Sequence, residues 1–75
     1  MLVADDESSI RRLLAMYLKE ADFDIVEAAD GNHALEILLS GDVDAALVDV
    51  MLPGIDGFEV VRRARPRSRI PMLFL

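Results

Sequence analysis

The sequence predicts an α/β fold, an open doubly wound parallel sheet with helices on both of its faces. Three observations carry that expectation. Apolar runs alternate with amphipathic stretches in the order β-α-β-α-β-α-β, and the links between them are only a few residues long. The third run, Ala45-Ala46-Leu47-Val48, is apolar without alternation, as a strand covered on both faces should be. Strands spaced by helices in this way pair in parallel through right-handed crossovers.

The elements follow in order. Leu2-Val3-Ala4 is a short strand that breaks at two aspartates. From Ser8 to Glu20, residues Ile10, Leu13, Leu14, Tyr17 and Leu18 recur at the spacing of an amphipathic helix, with the Ser8 hydroxyl as its expected N-cap. Met16 and Tyr17 are expected at the core and its flank rather than at a cofactor. Phe23 to Ala28 reads as a second strand, in which Ile25 and Val26 supply β-branched bulk. Asp30-Gly31-Asn32 reads as a turn, and a second helix follows in which Ala34, Leu35, Leu38 and Leu39 share one side. Ser40-Gly41 ends it. The third strand stops at Asp49, the stretch from Pro53 to Gly57 is rich in turn residues, and a third helix runs from Phe58 to Ala64. Ile70 to Leu75 reads as a fourth strand, with Pro71 tolerable near its start.

Composition narrows the class. At 75 residues the chain makes one domain at most, yet 53% of it is hydrophobic, with mean hydropathy +0.32. There is no cysteine, which excludes a disulfide framework or a thiolate zinc site and fits a reducing compartment. The acidic N-terminal stretch Asp5-Asp6-Glu7 is the opposite of a basic leader, and no apolar run reaches the roughly 18 to 20 residues of a membrane helix. These features predict a soluble, cytoplasmic protein without a membrane partner. All 14 acidic residues lie at or before Glu59, whereas Arg62, Arg63, Arg65, Arg67 and Arg69 crowd the stretch after it. Arginines at a helix C-terminus are favoured by its dipole and solvated there, so this cluster does not point to nucleic acid.

The chemistry is expected at the carboxyl ends of the strands, where open α/β sheets bind their ligands. Asp5 and Asp6 end the first strand and Asp49 ends the third. If the first crossover runs one way and the second runs back over it, the first and third strands are neighbours and the three carboxylates converge. A lone aspartate at such a place more often makes a turn or cap, but a doublet opposite a singlet points to a site. Like charges so placed repel, and a hard cation with oxygen ligands relieves them. Magnesium suits best, because it takes one or two carboxylates, keeps several waters and leaves room for a phosphate oxygen. A carboxylate beside it can attack phosphorus and carry an acyl phosphate. Asp49 stands alone next to an open loop and is the candidate nucleophile, while Asp5 and Asp6 flank the ion. The single histidine, His33, lies on another segment and is expected to be an exposed helix residue.

Leu2-Val3-Ala4-Asp5-Asp6-Glu7, Asp30-Gly31, the run from Leu47 to Gly57 and Ile70-Pro71 together resemble the receiver domain of two-component response regulators, with matching spacing along the whole chain. The resemblance implies a flavodoxin-like sheet with strand order 2-1-3-4 in residues 1–75. It implies that Asp49 is phosphorylated by a sensor histidine kinase. It further implies that Asp6 binds magnesium directly, Asp5 assists through water, the Met51 carbonyl is a ligand, and Pro53 and Gly57 shape the loop. The Met51-Leu52-Pro53-Gly54 wording resembles receivers of DNA-binding transcription regulators, so DNA is an expected partner only through an output domain outside these residues.

Two other classes are weighed against this one. A haloacid-dehalogenase-like phosphatase needs a second acid two residues after its nucleophile, where this chain has Met51. A dinucleotide site needs a Gly-x-Gly-x-x-Gly after the first strand, and none follows. A receiver-like module that binds partners without being phosphorylated is the remaining alternative.

The family also carries a Ser or Thr just after the fourth strand and a Lys after a fifth, with a signalling face on the fourth helix and fifth strand. Residues 1–75 end before those positions, so they are expected to form an incomplete receiver domain, holding the acceptor and metal ligands without completing phosphotransfer. The apolar last strand, with no helix after it, is a template for association. Residues 1–75 alone are therefore expected to be insoluble or to form a homodimer or swapped assembly. A monodisperse, cooperatively unfolding monomer in sedimentation and denaturation experiments overturns that expectation.

Overall fold

A computed structural model describes residues 1–75. Its elements are β1 (Leu2–Ala4), α1 (Ser8–Glu20), β2 (Val26–Ala28), α2 (Gly31–Ser40), β3 (Ala46–Val48), α3 (Gly57–Ala64) and β4 (Met72–Phe74). The four strands form one parallel sheet in the order β2-β1-β3-β4, as expected. The strands are shorter than the apolar runs that announce them, because pairing holds only where two strands run side by side. Phe23 and Ile70, expected within strands, lie outside them.

Helix ends follow local chemistry. Asp30 caps α2 by accepting from the His33 N–H at 2.8 Å, and Asp56 caps α3 by accepting from the Glu59 N–H at 2.9 Å. Gly31 and Asn32, expected in a turn, are instead the first residues of α2. That helix stops at Gly41, whose φ of 79° lies in the left-handed region that glycine enters at least cost. Ser8 does not cap α1. It is the first helical residue, the capping position falls on Glu7, and no side-chain cap forms there.

The core lies on one face of the sheet. Leu2, Ala4, Ala28, Ala46 and Val48 meet Ala34 and Leu38 of α2 and Val60 and Ala64 of α3 in one buried cluster. Fully burying a side chain such as Leu38 or Val60 is worth about 1.5–3 kcal/mol. Helix α1 packs against β1, where Val3 is fully buried and Ala15 is the buried residue of the helix. The small side chain of Ala15 brings α1 close to the strand. The periodic apolar residues of α1 do not sit in the core as their spacing suggests: Leu13 is 50% exposed and Tyr17 61%, and Met16 is also exposed. Strand β4 lies at the sheet edge with β3 as its partner, and Leu73 and Phe74 are exposed. The Phe74 ring meets that of Phe58 edge-on, with centroids 4.8 Å apart.

The entry of α3 is a close approach of two backbones. The Gly57 N–H donates to the Val50 carbonyl at 2.8 Å. A Cβ at Gly57 would lie 2.3 Å from the Asp49 carbonyl oxygen and 2.9 Å from the Val50 Cα, so no side chain fits. Further along α3, Glu59 accepts hydrogen bonds from both Arg62 and Arg63. Those bonds, from Arg62 first, lower the Glu59 pKa from 4.5 to about 2.

Two outcomes follow. In the full-length protein, Gly57→Ala forces backbone apart and is expected to destabilise the fold by about 1–3 kcal/mol, read as a lower urea midpoint at unchanged m-value. The depressed Glu59 pKa means that its ion pairs stabilise above about pH 4.5 and are lost as pH falls towards 2. Glu59→Gln should therefore melt slightly below wild type near neutrality and converge on it as pH falls through about 2. The neutral-pH difference is small because the arginines are solvated, and a gap that widens on acidification contradicts the pairing.

Candidate acidic site at the carboxyl edge of the sheet

Strand register builds the site. Ala4 pairs with Val48 across the β1–β3 ladder and with Ala28 across β1–β2, so all three strands finish at one level. The next residues, Asp5 and Asp49, then stand side by side. The Asp49 N–H donates to the Ala4 carbonyl at 2.8 Å and the Asp5 N–H to the Ala28 carbonyl at 3.1 Å, which extends both ladders by one step. Asp6 follows on the turn into α1. One carboxylate oxygen from each of Asp5, Asp6 and Asp49 lies within 4.8 Å of the others.

Each side chain has a distinct environment. Asp5 is 4% exposed, Asp49 is half-buried and Asp6 is exposed. Asp5 Oδ1 accepts from the Glu7 N–H at 2.9 Å, and Asp49 Oδ1 accepts from the Met51 N–H at 3.1 Å. Each bond fixes one oxygen in a tight turn and leaves Oδ2 without a protein partner. Asp5 Oδ2 is not sealed from solvent, since no fully buried side-chain oxygen lacks a partner. The Met51 carbonyl accepts none of the backbone hydrogen bonds, and its residue is 78% exposed.

Two ionised carboxylates at this separation repel by roughly 3 kcal/mol at an effective dielectric of about 20. The fold holds three of them together through its backbone, a cost that a bound cation relieves. The available donors are all oxygens, the set that suits a hard ion and not a soft one. Their spread suits an ion that keeps part of its water shell, as magnesium does. The residues therefore fit magnesium.

The loop after Asp49 is held from two sides. Its start is tied by the Gly57 N–H on Val50, and its middle by the Gly31 N–H, which donates to the Pro53 carbonyl at 3.0 Å. Other sequence candidates lie elsewhere. His33 is exposed on α2, and its backbone N–H serves the Asp30 cap. Arg62 and Arg63 pair with Glu59, and Arg65 donates to the Ile70 carbonyl at 2.7 Å, so the arginine stretch makes helix-end and loop contacts. A surface concavity of about 540 Å³ along α1, lined by Met16, Lys19, Glu20 and Glu27 among others, does not include the three aspartates.

One neighbour of the site escapes sequence reasoning. Arg11 donates from Nη1 to the Asp5 carbonyl at 2.8 Å and from Nε to Glu27 Oε1 at 3.0 Å. Its signal in the sequence is a misfit: a cation near the N-terminal end of a helix opposes the helix dipole unless something else holds it.

Comparison with known proteins agrees with this geometry. The family model of the response regulator receiver domain matches residues 1–75. The transcriptional regulatory protein ResD of Bacillus subtilis is 44% identical over 75 residues, which are all of this chain and 31% of that protein. The chain thus spans about a third of the length of such curated relatives. Among solved structures, the BeF3-activated N-terminal receiver domain of Klebsiella pneumoniae RstA superposes with a TM-score of 0.90 at 32% identity, covering 97% of this chain and 62% of that one. The response regulator TrrA of Thermotoga maritima, in complex with Mg2+ and BeF, gives 0.81 at 38% identity, covering 97% and 66%. Strand order, the acidic edge and a family match along the whole chain converge, and the protein belongs to the response regulator receiver domain family.

Proposed function

We propose that Asp49 is the phosphoacceptor of this receiver and that Asp5, Asp6, Asp49 and the Met51 carbonyl hold a magnesium ion beside it. The observation that carries this reading is the convergence of three carboxylates at one edge of the sheet, with Oδ2 of both Asp5 and Asp49 left without a protein partner. The Thermotoga relative, whose structure contains Mg2+ and BeF, supports the choice of ion and of a phosphoryl-like ligand. Bound magnesium would offset the charge that gathers on the oxygens of a transferring phosphoryl group.

The chain's own residues supply acceptor and alignment. The Met51 N–H holds Asp49 Oδ1, which leaves Oδ2 free of protein partners as the attacking atom. That oxygen forms a bond to phosphorus as the phosphorus–nitrogen bond of a kinase phosphohistidine breaks, and the departing imidazole keeps the electron pair. The product is an acyl phosphate on Asp49. The domain is thus a substrate that assists its own modification rather than a turnover enzyme. In this reading residues 1–75 are the first part of a cytoplasmic receiver, its partner is a sensor histidine kinase, and the acyl phosphate biases a conformational equilibrium elsewhere in the protein. The relatives named as transcriptional regulatory proteins support DNA-binding transcription control as the output.

Intact-mass spectrometry of the full-length protein with a small phosphodonor tests the proposal. One phosphoryl increment is expected with magnesium and none after chelation. Asp49→Asn should abolish it while leaving the circular dichroism spectrum unchanged. Label that persists in Asp49→Asn overturns the assignment of the acceptor, and a wild-type protein that never gains the increment makes it an unphosphorylated interaction module.

A further inference from the structure

We propose that Arg11 is a positioning residue for the acidic site, holding the turn that carries Asp5 and Asp6 in its ion-binding shape, with Glu27 as the group that orients it. The inference rests on the reading of that site as an ion site. Asp5 is fixed at three points. Its N–H donates to the Ala28 carbonyl at 3.1 Å, its Oδ1 accepts from the Glu7 N–H at 2.9 Å, and its carbonyl accepts from Arg11 Nη1 at 2.8 Å. The first two bonds constrain what precedes the Asp5–Asp6 peptide and the side chain. Only the Arg11 bond grips the Asp5 carbonyl, and so sets the plane of the peptide that launches Asp6. Asp6 itself is exposed and its carboxylate makes no hydrogen bond within the protein, so its direction depends on that peptide.

Arg11 is built for this task. Its side chain is only 14% exposed, and its Nε is engaged by Glu27 Oε1 at 3.0 Å. A guanidinium presents several donors in a rigid plane, so the Glu27 contact sets the direction of the Asp5 contact. Glu27 lies in β2, paired with Val3 of β1, and ties the arrangement to the sheet. The cation sits near the wrong end of α1 for the helix dipole and close to the site where a metal ion would bind. As a pure charge it would weaken cation binding. Geometry and charge therefore predict opposite signs for its removal, which makes the role testable.

The test measures the affinity of the full-length protein for manganese as a probe of the site, with the free ion read by electron paramagnetic resonance and no phosphodonor present. Arg11→Gln is expected to raise the half-saturating manganese concentration about tenfold, the scale of losing a group that orients metal ligands. The double variant Arg11→Gln with Glu27→Gln leaves the net charge unchanged and should bind as weakly as the single one. Arg11→Lys, the gentler change if Arg11→Gln does not fold, keeps the charge but loses the planar fork and should also bind more weakly. Tighter binding in Arg11→Gln that returns to wild type in the double variant assigns the residue a charge effect alone and overturns the proposal. A lower melting temperature with unchanged affinity assigns the contact to stability and overturns it as well. A wild-type protein that binds no manganese rejects the ion site itself, whereas wild-type binding with indifferent variants rejects only the role of Arg11.

Discussion

The β1–β3 pairing is the constraint on which the site depends. With Ala4 opposite Val48, the next residue of each strand leaves the sheet at the same level, and both are aspartates. A slip of one residue would turn one carboxylate to the other face and separate the pair. What prevents the slip is burial: Leu2, Ala4, Ala46 and Val48 all face the α2 and α3 side, where each is almost completely buried. The apolar core thus sets the spacing of the charges, and the backbone bond from Asp49 to Ala4 carries that spacing past the last strand residue.

Holding three carboxylates at one edge is unfavourable in isolation, and the fold distributes the strain over neutral contacts. Backbone amides of Glu7 and Met51 each take one oxygen, which orients the carboxylates without neutralising them. The glycines at the starts of α2 and α3 allow the loop after Asp49 to lie close against both helix starts, where backbone hydrogen bonds hold it. Three carboxylates held this way offer oxygen ligands without a neutralising partner, which is the basis of the proposed ion site.

Most of the fold is legible in the residues because the helix and strand periods differ and the punctuation is strong. Gly41 ends α2 where the sequence expects it to, whereas Asp30 and Asp56, read as turn residues, are the N-caps of α2 and α3. The reading is weakest at α1. The spacing of Ile10, Leu13, Leu14, Tyr17 and Leu18 describes an apolar face correctly, but periodicity says only that a face exists and not what covers it. Ala15, a residue without weight in a hydrophobic pattern, is the one residue of α1 that is buried. Ser8 misleads for a related reason: a capping residue is recognised by type, whereas the acceptor near the start of α1 is the carboxylate of Asp5, three residues earlier.

The sequence by itself determines the alternation of elements, the identities of Asp5, Asp6 and Asp49 and their places at strand ends, because these depend on local pattern and on the residues that stop a strand. Their convergence is decided only by the tertiary structure, since a parallel sheet can order its strands in several ways and local propensity does not choose among them. The same holds for Arg11. Its partners lie at Asp5, six residues back, and at Glu27, sixteen residues ahead, and they meet only because β2 lies against β1. Side-chain type is local information, whereas the distance between two charges is a property of the packed chain.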